Sequence, residues 1–429
     1  MGAIPGPDRT RAVGVADVPG LAARKAAVRL VHAVVVLGRP LDGQLESALK
    51  GLSPSDRGLA RALTGGVLRH LPGLDALIDS TTRQPLPPDA RARQVLRVAL
   101  AGLLVLETPA HAGIATALPL LEGGPRRLAH GILSTLIRTR AQLPEPALPG
   151  GWAARWTESW GAAEAGAAAQ RLAEIPPTDL CLRDSAATAA WCERLGGTSM
   201  MPGHVRLEGS QQVEQLAGFT DGDWWVQDIA ASLPARLLGD VAGQRALDLC
   251  AAPGGKTMQL ASAGADVTAL DINASRLKRL RTNLERTGLS ADIVEADARS
   301  WQPDAPFDAI LLDAPCSATG TFRRHPDLLY LKDDLDLSTL TTLQADLRDR
   351  AAGWLKPGGR LVYAVCSLEP AEGEGASPPA GLVPDPVEPS DLPAGLSPSA
   401  GGFVRTLPSL WGEAGGADGF FIARWRKPD

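Results

Sequence analysis

A short apolar run, Arg245-Ala246-Leu247-Asp248-Leu249, enters Cys250-Ala251-Ala252-Pro253-Gly254-Gly255-Lys256-Thr257, and an amphipathic pattern leaves it. No other stretch restricts the fold as much. Strand, tight glycine turn and helix in succession is how an α/β sheet offers backbone N–H groups to a ligand at the carboxyl end of a strand. Two adjacent glycines let that backbone approach the ligand closely, because neither carries a Cβ. The spacing matches neither the phosphate-cradling loop ending in Gly-Lys-Ser/Thr nor Gly-x-Gly-x-x-Gly, so a nucleotide phosphate is not its obvious guest.

The sequence around this turn alternates between the two periods. Strands are expected at 246–249, 267–270, 292–295, 309–312 and 359–364, and helices at 256–263, 274–287 and 337–355. That order implies a parallel sheet with helices on both faces, a Rossmann-like α/β domain. Two late apolar runs, 403–407 and 420–425, would add an antiparallel edge hairpin. Asp271, Asp297 and Asp313 follow the second, third and fourth strands. One strand-end carboxylate is ordinary capping, but three on the edge that carries the glycine turn imply a ligand pocket. A negatively lined pocket disfavours phosphate and suits a cationic nucleoside, and S-adenosylmethionine fits that description. Asp271 stands where an acid in this architecture accepts hydrogen bonds from ribose hydroxyls.

Ahead of the core, the chain reads as a flexible leader (1–20), then an all-α domain (21–142). Helical stretches are expected at 21–37, 44–50, 55–69, 73–79, 89–106, 109–121 and 125–139, separated by Pro54, Pro72, Pro87-Pro88, Pro109 and Gly123-Gly124-Pro125. Three prolines and two glycines within 143–151 mark a linker. Residues 152–223 mix helices with two extended pieces, 180–183 and 204–207, in a small α+β insert whose role the residues do not reveal. The core would then occupy 224–429.

Composition removes several function classes. No run of about 18 apolar residues suggests a membrane span, and no basic-then-apolar N-terminus suggests export, so the expected location is the cytoplasm. Cys181, Cys192, Cys250, Cys316 and Cys366 are odd in number, show no Cys-x-x-Cys pair and lie away from the histidines. A disulfide framework and a metal site are both unexpected. The net charge of −5 hides an asymmetry: residues 1–142 hold 18 Lys+Arg against 10 Asp+Glu, leaving −13 for the remainder. A basic front domain is compatible with a polyanion and equally with a solvated, Arg-rich helical surface.

Two cysteines carry the chemistry. Asp313-Ala314-Pro315-Cys316-Ser317 and Val365-Cys366-Ser367 each put a thiol just past an expected strand, on the cofactor edge. Pyrimidine C5 is a poor nucleophile, so its methylation requires prior attack on C6 by a soft nucleophile such as a thiolate. Cys181, Cys192 and Cys250 read instead as small buried hydrophobes.

From Trp225-Val226-Gln227-Asp228 onward, the segments 249–257, 313–320, Arg323-Arg324-His325-Pro326-Asp327 and Cys366-Ser367 resemble the RNA cytosine-5 methyltransferases of the RsmB and Nop family. The all-α front resembles the NusB-type RNA-binding domain. The resemblance implies that Cys250, Ala251, Ala252, Pro253, Gly254, Gly255, Lys256, Asp271, Asp297 and Asp313 bind S-adenosylmethionine. It implies that Cys366 attacks C6, Asp313 assists at N3 and Cys316 promotes product release. It further implies a small-subunit (16S) rRNA substrate; from composition no membrane or metal partner is expected, and the chain is expected to be a monomer. The basic cluster Arg323, Arg324 and His325 would touch phosphates around the target. The base must be unstacked or single-stranded to reach both thiol and methyl group.

Two departures stand out. Val365 replaces the threonine usual before the nucleophile, and seven prolines between Pro378 and Pro398 replace a helix, predicting an irregular loop along one wall of the RNA cleft. Two other readings remain open: the same chemistry on tRNA, and an inactive RNA-binding assembly factor.

Overall fold

The computed structural model describes residues 18–331 and 335–429, so most of the expected leader lies outside the described residues. The chain divides into two compact units, 1–149 and 150–429. No helix among the described residues is long and apolar enough to cross a membrane.

The first unit is all helical: α1 (Leu21–Val35), α2 (Asp42–Leu49), α3 (Pro54–Asp79), α4 (Arg91–Leu104), α5 (Ala110–Ala117) and α6 (Gly123–Arg138). Helix α3 begins as its sequence dictates, with Pro54 in the first turn and the Ser53 hydroxyl accepting from Asp56 N at 3.1 Å. It does not break at Pro72, where two helices were expected. An internal proline costs about 3 kcal/mol, but tertiary contacts on both sides of it oppose that cost. Leu68, Leu71, Leu74 and Ile78 bury one continuous face. Past the proline, Arg93 of α4 forks onto Asp79 at 2.9 and 2.8 Å, and Arg97 meets Asp75 at 2.6 Å.

The second unit opens with α7 (Trp152–Trp160) and α8 (Ala162–Ala173). Next come β1 (Thr178–Leu182), α9 (Thr188–Leu195), β2 (His204–Leu207) and β3 (Trp224–Val226), the strands forming a small antiparallel sheet in the order β2-β1-β3. A division between 223 and 224 would separate β3 from this sheet. Trp224 lies opposite Leu182 and packs with Leu180, Trp191, Val205 and Leu207, so the insert extends through Val226.

The larger sheet follows α10 (Ile229–Arg236), a helix the sequence pattern did not reveal because it is buried nearly all round and shows no polar face. Its elements are β4 (Arg245–Leu249), α11 (Gly255–Ser262), β5 (Asp266–Asp271), α12 (Ala274–Thr287), β6 (Asp292–Glu295), β7 (Phe307–Asp313), α13 (Leu328–Leu331), α14 (Ser338–Gly353), β8 (Leu355–Val365), β9 (Val383–Pro384), β10 (Val404–Thr406) and β11 (Phe420–Arg426). Strand order is β10-β11-β8-β7-β4-β5-β6. From β8 to β6 the pairing is parallel, and β10 and β11 add the antiparallel edge. Alternate residues of β7 and β8 feed two cores: Leu311 and Val362 on one face, Ile310, Leu312 and Tyr363 on the other.

The proline-rich tract forms no α-helix, only a short 3-10 turn at Pro389–Asp391, yet it is packed rather than irregular. Val383 and Pro384 pair with Arg426 and Trp425 of β11. Leu382, Val387 and Leu396 are buried, and Asp385 pairs with Arg360 at 2.7 Å and Arg424 at 3.3 Å.

Candidate active site

Parallel pairing sets the site's register. β4, β7 and β8 are adjacent, and Asp313 at the end of β7 lies opposite Ala364 near the end of β8. Cys316 follows Asp313 by three residues and Cys366 follows Ala364 by two, so both thiols emerge over one sheet edge. Their sulfurs are 3.4 Å apart.

The turn after β4 is bent by its backbone. Cys250 has φ 67° and Gly254 φ 105°. A Cβ at 254 would also come within 2.9 Å of Leu280 Cγ, so glycine there answers both conformation and packing. Asp271 locks the turn to β5 by accepting from Ala252 N at 3.1 Å and Asn273 N at 2.8 Å. Arg276 lies over this carboxylate at 3.7 Å and donates to Ala252 O.

Lys256, in the first turn of α11, reaches across the edge to Asp313, with Nζ 2.8 Å from Oδ2. Burial alone would lower the pKa of this ammonium, but Asp313, Asp248 and Cys366 outweigh burial and raise it. Asp248 lies beneath, fully buried. Its Oδ2 accepts from Thr257 Oγ1 at 2.6 Å, while Oδ1 has no partner. Burial therefore pushes this carboxyl up to about 7, against the pull of Thr257 and Lys256.

The two thiols have unlike surroundings. Cys316 is raised well above the ordinary thiol range, by its hydrogen bond with Cys366, by burial and by the Cys366 and Glu372 charges. Cys366 is the sulfur within electrostatic reach of two cations, Lys256 and Arg324. That asymmetry puts Cys366 on the cationic side of the pair and keeps Cys316 protonated.

A cavity of about 400 Å³ opens beside these groups. Its walls include Ala251, Ala252, Pro253, Gly255, Lys256 and Asp313, joined by Trp225, Gln227 and Arg324. Cys250, Gly254, Asp271 and Asp297 are not among those walls. Asp297 is paired with its neighbour Arg299, whose Nη2 lies 2.7 Å from Oδ2, and of the three strand-end carboxylates Asp313 lines the cavity.

The basic cluster separates into three roles. Arg323 is 1% exposed, with Nη1 donating to Gly415 O at 3.1 Å and Nη2 3.8 Å from Asp228; it is an internal cation and cannot meet a phosphate. Arg324 is paired with Asp418, its Nε at 2.7 Å, yet lines the cavity. His325 is exposed. No cluster of three metal-ligating side chains occurs among the described residues.

The insert, silent in the sequence, grips the Cys366 loop. Trp160 Nε1 donates to Leu368 O at 2.8 Å, and Arg155 Nε meets Glu369 at 2.5 Å with Trp156 Nε1 at 3.4 Å. Arg405 lies over the Trp160 ring and donates to Ser367 O at 2.5 Å. The tryptophans of α7 were the visible signal, but their partners lie about two hundred residues away, at separations of 208 and 213.

Residues 235–426 match the family described as 16S rRNA methyltransferase RsmB/F, and residues 21–123 match the NusB family. The ribosomal RNA small subunit methyltransferase B of Xanthomonas campestris pv. campestris is 34% identical over 94% of this chain and 97% of its own. Among solved structures, PH0851 has a TM-score of 0.69 at 21% identity, covering 96% of this chain and 99% of that one. A methyltransferase homologue from Pyrococcus horikoshii has a TM-score of 0.51 at 27% identity, covering 64% of this chain and 93% of that one. With a NusB-type helical unit ahead of a Rossmann-like sheet and a relative matched over nearly its whole length, the chain belongs to the RsmB/F family of 16S rRNA methyltransferases.

Proposed function

We propose that this chain methylates C5 of a cytosine in small-subunit rRNA, with Cys366 as nucleophile, Cys316 as the releasing group and S-adenosylmethionine as methyl donor. The observation that carries the reading is the pair of sulfurs 3.4 Å apart beside the Lys256–Asp313 ion pair. The relative's printed name supplies the rRNA substrate.

The residues present suit a cationic nucleoside. The turn 250–256 exposes the opening amides of α11, which have no partner within the helix, and Asp271 and Asp313 offer carboxylates at the ends of the two strands that flank β4. Asp271 would have to exchange Arg276, and Asp297 would have to exchange Arg299. When bound, S-adenosylmethionine supplies the electrophilic methyl group.

The chain's own groups do the rest. Cys366 forms an S–C6 bond, and the C5–C6 electron pair shifts so that C5 becomes nucleophilic. Asp313 would steady the proton taken up at N3, and Lys256 holds Asp313. Once its sulfur is bonded to C6, Cys366 no longer engages Cys316 through their thiol hydrogen bond or through a negative charge, two of the causes that raise the Cys316 pKa. After C5 has bonded the methyl group, Cys316 can release its own proton to solvent and, as the thiolate, take the proton on C5. The C5–H pair re-forms the double bond, and the C6–S bond breaks to return the Cys366 thiolate.

Arg324 and His325 would face phosphates near the target, and the NusB-type unit would provide a second grip on the RNA. The test is incorporation of labelled methyl into unmethylated small-subunit rRNA by wild type, Cys366→Ala and Cys316→Ala. Absence of transfer by the wild type to that RNA, with cofactor binding intact, would overturn the substrate assignment.

A further inference from the structure

Beneath the two sulfurs lies a carboxylate that the mechanism above does not use. Glu372 is 0% exposed, six residues past Cys366. Its Oε1 accepts from Ser317 N at 2.9 Å and Gln344 Nε2 at 2.9 Å. Its Oε2 accepts from the hydroxyls of Ser317 and Ser367, each at 2.5 Å. Those two serines immediately follow Cys316 and Cys366 in the chain. One side chain therefore ties together the two backbone segments that carry the thiols, and those segments belong to different strands.

The rest of the cluster reinforces the tie. The serine oxygens are 3.0 Å apart, and Ser367 Oγ also accepts from Glu369 N at 2.9 Å. Thr319 Oγ1 accepts from Leu368 N at 2.9 Å. Gln344 spends its amide on Pro315 O as well, at 2.8 Å, and Tyr363 OH donates to the Glu372 carbonyl at 2.8 Å. No arginine or lysine bonds to the carboxylate among the described residues; its partners are all groups whose position matters to the thiol loops. A buried carboxylate is costly unless its acceptor sites are filled, and here four donors fill them.

We propose that Glu372 is the positioning residue of the thiol pair, holding the Cys316 and Cys366 loops in the register that lets both sulfurs address one base. The proposal rests on the functional reading above for its catalytic consequence, and on geometry alone for the pairing of the thiols. An amide at this position puts an NH2 where an acceptor is required, so Glu372→Gln keeps the shape and removes half of the bridge.

The geometric part is read with phenylarsine oxide. The As=O bond breaks, two S–As bonds form, and the two thiol protons leave with the oxygen as water, so tight capture needs both sulfurs together. Full-length wild type should bind one equivalent, and Cys366→Ala should not. Glu372→Gln, with its fold verified by circular dichroism, should lose at least about tenfold in arsenical affinity. It should also lose about a hundredfold in kcat for methyl transfer, with KM for RNA unchanged. Folded Glu372→Gln with wild-type arsenical affinity and wild-type kcat overturns the proposal. Should that variant not fold, Ser367→Ala removes one arm of the bridge, and wild-type values in it overturn the proposal equally. If wild type methylates no RNA but Glu372→Gln still loses the arsenical, the functional reading fails and the positioning role stands.

Discussion

Lys256 Nζ lies 2.8 Å from Asp313 Oδ2, joining the helix that follows β4 to the end of β7, and both residues face the cavity beside Cys366. Each is a natural counter-charge for the other, and Lys256 also lies within electrostatic reach of Cys366. Lys256→Met keeps the aliphatic stem and removes the cation. It should lower kcat for methyl transfer by about a hundredfold or more, as loss of one aligned electrostatic contact does elsewhere. Single-turnover kinetics at saturating RNA would show the loss in adduct formation; an unchanged rate would remove Lys256 from the chemistry.

The two thiols should fail in opposite ways. Cys366→Ala should form no covalent complex with RNA, whereas Cys316→Ala should form one and release it slowly. Denaturing gel electrophoresis of protein incubated with labelled RNA distinguishes them. Adduct with Cys366→Ala but none with Cys316→Ala would exchange the two assignments.

Asp248 makes stability depend on pH. Burial raises its folded pKa to about 7, above the unfolded value, so the folded state binds the extra proton between the two. The stability associated with that proton is fully present below the unfolded pKa and is lost as pH rises through about 7. Asp248→Asn should therefore flatten the decline in thermal midpoint between pH 5 and pH 8, relative to wild type. Parallel midpoint-against-pH curves for the two proteins would contradict the assignment.

Arg323 and His325 sit two residues apart and should behave differently. Arg323→Ala leaves Asp228 buried without its cation and should cost about 3–5 kcal/mol of stability, visible as a lowered thermal midpoint. His325→Ala should leave stability within about 0.5 kcal/mol. Its effect should instead appear in RNA affinity. Filter binding over a salt series checks the affinity, and thermal melting of the two variants checks the stability.

Trp160 links the insert to the Cys366 loop through its N–H on Leu368 O. Trp160→Phe keeps an aromatic surface for Arg405 and deletes the donor, at a cost of about 1 kcal/mol. The loss should fall on kcat more than on KM for RNA. Equal kinetics in the two proteins would reduce α7 to a packing element.

Much of this could be read directly from residue order. Short apolar runs located β4, β5 and β7, which are buried on both faces, the 3.6-residue period located α12, which buries one face, and the glycine turn declared itself through residue types with few conformational alternatives. Cys316 and Cys366 were recognisable because each follows a strand end. Local order could not show Pro72 inside one long helix, α10 without a polar face, or β3 completing the insert's sheet, since contacts from elsewhere in the chain stabilise each. Nor could it separate Arg323 from Arg324, whose burial depends on Asp228, Gly415 and Asp418.

The sequence by itself therefore determined the chemical repertoire: two thiols, strand-end carboxylates and a glycine turn on one kind of sheet edge. Tertiary structure alone decided their arrangement. Parallel register between β7 and β8 brings sulfurs fifty residues apart in the chain to 3.4 Å. Long-range bonds from Lys256, Trp160 and Glu372 then set their electrostatics and their loops. Those bonds join segments that have no reason to meet until the sheet has formed, so no local pattern records them.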